Sequence, residues 1–87
     1  MPDTLEPVRR KLRFRSLRRG TKESDMVIGG FANDHLQDLD QRQLEHFEAL
    51  LDENDQDVLS WVMEMMPPPA AFDTDVLDML RTYKKKI

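Results

Sequence analysis

The chain has 87 residues, which supply side chains for one core only, since folded units typically run about 50 to 200 residues. It contains no cysteine, so disulfides, thiolate zinc sites and cysteine nucleophiles are excluded. Its 39% hydrophobic content includes no apolar run near the roughly 20 residues of a membrane span, and the N-terminus lacks the apolar stretch of a signal peptide.

The net charge of −4 conceals a segregation into blocks. Residues 1–22 carry eight Lys/Arg against Asp3 and Glu6, residues 23–80 carry fifteen Asp/Glu against the single base Arg42, and Arg81, Lys84, Lys85 and Lys86 close the chain with positive charge. The run Arg9, Arg10, Lys11, Arg13, Arg15, Arg18, Arg19 could meet phosphates, but an acidic body repels a polyanion, so no nucleic-acid partner is expected. A basic N-terminus also suits a mitochondrial transit peptide. This one runs straight into the first helical pattern, so a soluble, cytoplasmic, bacterial-type protein without transit peptide or membrane insertion is expected.

Five helical segments are predicted, with no strand alternation between them. The first starts near Pro7, carries an apolar stripe of Leu5, Val8, Leu12 and Leu17, and stops at Gly20. Thr21 restarts the chain as an N-cap, with Glu23 and Asp25 in the first turn, where the helix dipole favours acids. Met26, Val27, Ile28, Phe31 and Ala32 form the apolar face of this second segment, and the pair Gly29-Gly30 signals a close backbone contact or a kink.

Asp40 and Gln43 have capping-box spacing for a third helix over 41–52, with Leu44, Phe47, Leu50 and Leu51 on one face. Asp55 opens a fourth, with Val58, Leu59, Val62, Met63 and Met66 inward, and Pro67-Pro68-Pro69 stops it. Asp73 caps a fifth, with Val76, Leu77, Leu80 and Tyr83 inward and cations at its end. The fold class is therefore all-α, a compact five-helix bundle in a single small domain, expected to be a monomer. Leu44, Phe47, Leu51, Leu59, Val62 and Leu80 are placed in its core.

Catalytic signatures are missing. Neither His35 nor His46 has a second ligand one turn away, so both read as surface or boundary residues. Asp52, Glu53, Asp55 and Asp57 lack the glycine and terminal Glu of a calcium loop and read as a solvated cap. Trp61, among Val58, Val62 and Met65, reads as a core or boundary anchor.

The junction Arg18-Arg19-Gly20-Thr21-Lys22-Glu23-Ser24-Asp25 carries more than a turn needs, because a turn needs only the glycine. Its Arg-Gly-x-x-Glu pattern, continued by Asp25, resembles the signature of the FAD assembly factor family, called SdhE in bacteria and succinate dehydrogenase assembly factor 2 in mitochondria. Arg10-Lys11-Leu12-Arg13-Phe14-Arg15-Ser16 is similar to that family's first helix, and Phe31-Ala32 with His35-Leu36 resembles its second. Asp55-Gln56-Asp57-Val58-Leu59-Ser60-Trp61 resembles its acidic run leading to a tryptophan, with a proline linker before the last helix. The resemblance divides the chain into an N-terminal extension (1–8), an SdhE-like helical domain (9–84) and a C-terminal tail (85–87).

The resemblance implies a non-catalytic chaperone. It would bind the flavoprotein subunit of succinate dehydrogenase, and by extension fumarate reductase, and promote covalent attachment of FAD to a histidine there. No stably bound cofactor is implied, and no glycine-rich dinucleotide loop is present. By motif, Arg19 and Gly20 would bring an exposed cationic turn near the partner's flavin site, while Glu23 and Asp25 would orient it or pair with partner bases. Arg15 and Arg18 extend that surface by charge and proximity. The competing reading is a generic helical adaptor, or a nucleic-acid-associated regulator, using the basic first helix.

Overall fold

The computed structural model describes residues 4–17 and 19–87. Among them the chain forms five helical segments and no strand, as the apolar spacing predicts. The radius of gyration, 12.2 Å, matches the roughly 12 Å expected of a compact chain of this length.

Helix α1 spans Glu6–Ser16. Its inward row is Arg9, Leu12 and Ser16, with Leu5 half-buried, whereas the expected stripe members Val8 and Leu17 are exposed. Arg9 reads as polar in sequence, yet its stem lies in the core and its guanidinium donates to the Leu39 carbonyl at 3.0 Å, which lets a cation occupy an apolar row. The helix also stops at Ser16, four residues before Gly20. Leu17 turns extended (ψ 146°), and the Ser16 hydroxyl bonds back to the Arg13 carbonyl at 2.7 Å.

The second segment is continuous but not uniform. Helix α2 (Lys22–Ser24) runs into a π-helical turn, Asp25–Gly29, and then into α3 (Gly30–His35). Thr21 caps it as predicted, its hydroxyl accepting from the Ser24 amide at 3.1 Å. The glycine pair marks two close approaches. A Cβ at Gly29 would lie 3.1 Å from the Ser16 carbonyl oxygen, and one at Gly30 would lie 2.6 Å from the Tyr83 hydroxyl. The wide π turn and the missing side chains let this segment seat against both the end of α1 and the last helix.

Helix α4 spans Gln41–Leu51 behind the predicted capping box: Asp40 accepts from the Gln43 amide at 2.8 Å, and the Gln43 side chain accepts from the Asp40 amide at 3.1 Å. Helix α5 is Asp55–Val62, opening at Asp55 as expected, with Asn54 as its N-cap. It ends five residues before Pro67, because Glu64 adopts φ 60° and closes a Schellman turn, with Met65 N–H to Ser60 C=O at 2.9 Å and Glu64 N–H to Trp61 C=O at 3.2 Å. Met63 is consequently half-buried and Met66 exposed, where both were expected inside.

Helix α6 is Asp75–Lys86, capped by Thr74 rather than Asp73, which instead ends the short 3-10 turn Ala70–Phe72. The core contains Leu44, Phe47, Leu51, Val62 and Leu80 as expected. Leu59 lies half-buried at its edge. Trp61 is buried and stacks on Phe72 with centroids 5.2 Å apart, an anchor for the linker between α5 and α6. Among the described residues, no helix is long and apolar enough to cross a membrane.

Candidate functional site

The turn between α1 and α2 is where the sequence concentrates unexplained chemistry. Gly20 sits there at φ +107°, a conformation L side chains rarely adopt, and a Cβ built on it meets nothing within 4 Å. The residue is therefore required for backbone conformation and faces open space. Glu23 is also exposed and borders an open groove of about 250 Å³ with Lys22, Met26, Val27, Lys84 and Ile87.

Arg19 differs from its expected exposed state, its side chain being only 14% accessible. Nε and Nη2 donate to Asp55 Oδ1 at 3.0 and 2.7 Å, Nη2 also donates to the Leu51 carbonyl at 2.8 Å, and Nη1 donates to the Arg15 carbonyl at 3.2 Å. Its backbone N–H donates to the Asp25 carboxylate. Arg15 turns the same way, pairing with Asp52 and, at 3.5 Å, with Glu48, which Lys11 also reaches at 3.0 Å. Arg18 lies outside the described residues.

Of the six residues singled out, the structure thus brings Arg15, Arg19 and Asp25 into an internal network, and leaves Gly20 and Glu23 facing outward. Sequence reasoning missed the acids that complete this network. Asp55 was read as a solvated cap, but its side chain is only 15% accessible. The charge segregation was the usable signal, since a basic α1 is complementary to the acidic stretch Glu48 to Asp57. This pairing covers Arg19 and half-buries Arg15, while Lys11 stays exposed with its charge paired to Glu48.

A second open groove, between α3 and α6, of about 260 Å³ is lined by Phe31, His35, Asp78, Met79, Thr82, Tyr83 and Lys86. His35 packs edge-on against Tyr83 at 5.6 Å and pairs with Asp38 at 3.5 Å, so it serves as a boundary residue. The Tyr83 hydroxyl donates to Asp34 at 3.0 Å; burial first, and then that carboxylate, push its pKa above the ordinary 10.0. Among the described residues, no group of three or more His, Asp or Glu is placed to hold a metal ion.

The described residues thus form a small helical bundle with one exposed, glycine-centred turn. The comparisons with known proteins are specific. The family model described as flavinator of succinate dehydrogenase matches residues 10–84, and the chain belongs to that family. It is 32% identical over 81 residues to the mitochondrial succinate dehydrogenase assembly factor 2 of Dictyostelium discoideum, covering 93% of this chain and 57% of that protein. It is 34% identical over 79 residues to the Cryptococcus neoformans protein of the same name (90% and 45% covered), and 31% identical over 85 residues to assembly factor 2-A of Drosophila sechellia (95% and 52%).

The chain spans about half the length of the curated relatives it matches. These relatives are named mitochondrial, which overturns the expectation of a cytoplasmic, bacterial-type protein. The expectation rested on a basic stretch that runs straight into the first helix, and the helical start of a folded domain is no evidence of location.

Proposed function

We propose that this chain is a non-catalytic assembly factor that binds the flavoprotein subunit of succinate dehydrogenase and promotes covalent attachment of FAD to a histidine of that subunit. The supporting observation is the family match across residues 10–84, which includes the whole Arg19 to Asp25 turn. The flavoprotein subunit of fumarate reductase is a second client on the same reading. The chain needs no stably bound FAD of its own, because an assistant can act by holding the partner's domains and charges in the productive arrangement.

Gly20 and Glu23 form the centre of the contact. The glycine allows the partner's surface to approach the backbone, and Glu23 offers a carboxylate to partner bases. Arg15, Arg19 and Asp25 shape the turn from behind, and Arg18 belongs to the same reading by charge and sequence proximity.

Capture of the purified flavoprotein subunit on the immobilised chain tests this reading. Glu23 is exposed, so Glu23→Ala should stay within about 0.5 kcal/mol of the parent in stability while weakening capture. Gly20→Arg should lose on the order of 1 kcal/mol through its positive φ and abolish capture while remaining folded. Undiminished capture by both folded variants would refute the assignment.

A further inference from the structure

Between Ser16 and Lys22 the chain has left one helix and not yet entered the next, so its shape must be imposed from outside. The imposing contacts converge on Arg19. Its guanidinium is held by the first residue of α5 (Asp55), the last carbonyl of α4 (Leu51) and the carbonyl of Arg15 in the last turn of α1. Its backbone N–H is held by Asp25. Gly20 therefore hangs between a clamped Arg19 and a capping Thr21, and its φ of +107° is fixed on both sides.

Asp55 supplies the only carboxylate on that guanidinium among the described residues, and both side chains are largely covered, so the pair is poorly screened. Removing one member leaves the other partly desolvated and unpaired. We propose that Asp55 is the positioning residue of the Gly20 turn: it holds Arg19, and through Arg19 it sets the geometry in which Gly20 and Glu23 meet a protein partner. This rests on the reading of that turn as the partner surface. It assigns to Arg19 an indirect role, acting through the turn rather than by placing its own charge against the partner.

The test compares Asp55→Asn, Arg19→Lys, the double variant and Asp57→Asn, an exposed acid two residues away, in two measurements. Amide resonances are recorded on the free chain, and affinity is measured against the purified flavoprotein subunit. Asp55→Asn should move the Gly20 and Thr21 amide resonances, leave those of α6 in place, and weaken binding about tenfold, within the range of ordinary coupling between sites. The double variant should bind no more weakly than the weaker single variant, and Asp57→Asn should bind as the parent does.

Unmoved turn resonances in Asp55→Asn would overturn the positioning. So would losses that multiply in the double variant, since that would put Arg19 directly against the partner. If Asp55→Asn does not fold, Asp55→Glu, which shifts the carboxylate by one methylene, carries the same test. The resonances are read on this chain alone, so a flavoprotein subunit that ignores even the parent chain refutes the proposed function without deciding the positioning, which the resonances then decide.

Discussion

Glu64 occupies the left-handed position that glycine usually fills in a Schellman turn, at φ 60°. The side chain is exposed and makes no hydrogen bond or ion pair among the described residues, so Glu64→Gly should raise stability by about 1 kcal/mol, measured by urea unfolding. A fall would mean that the turn is held by the glutamate itself. Tyr83 offers a second residue-scale test, because it is the only tyrosine in the chain and its ionisation can be read by ultraviolet absorbance. Burial, and the hydrogen bond it donates to Asp34, hold the neutral form, so titration should occur above 10.0. The sign for stability follows from the raised value. The contribution is complete below the unfolded-state value of 10.0 and is lost as pH rises through the folded one. Asp34→Asn should bring the midpoint down, and an unchanged midpoint would assign the shift to burial alone.

At the scale of elements, caps and apolar spacing predicted more than ends did. The Asp40/Gln43 box and the Thr21 cap appear as their residue types dictate, and the faces of α4 and α6 follow helical spacing. The misplaced ends have separate causes. Helix α5 stops at Val62 because a glutamate, not a glycine, takes the left-handed position, and no residue type marks that stop in advance. Helix α1 stops at Ser16, where Leu17 turns extended and the Ser16 carbonyl packs against Gly29, a tertiary contact that local pattern does not contain. Leu51 belongs to two structures at once, its side chain in the core and its carbonyl on Arg19. Leu51→Ala should cost about 2 to 5 kcal/mol in chemical denaturation, and unchanged stability would remove that side chain from the core.

Across the whole molecule, the segregated charge that argues for a dipolar protein in sequence is folded onto itself, with basic α1 paired to the acidic end of α4 and Arg19, in the turn that follows, to the start of α5. The special conformation of Gly20 was legible, because a glycine after the arginines marks a helix stop, and Glu23 was legible as an exposed first-turn acid. The pairing of Arg19 with Asp55 was not, because 36 residues separate the partners and a guanidinium reads as exposed until its acceptors are known. What the molecule then presents is a turn fixed from behind and open in front. The direct measurement of its purpose is a reconstitution. The purified flavoprotein subunit of succinate dehydrogenase lacking covalent flavin is incubated with FAD, with and without this chain, and the denatured subunit is scored for in-gel flavin fluorescence over time. The account predicts faster appearance of covalent flavin with the parent chain, and no acceleration by folded Gly20→Arg; identical time courses with and without the parent chain would contradict it.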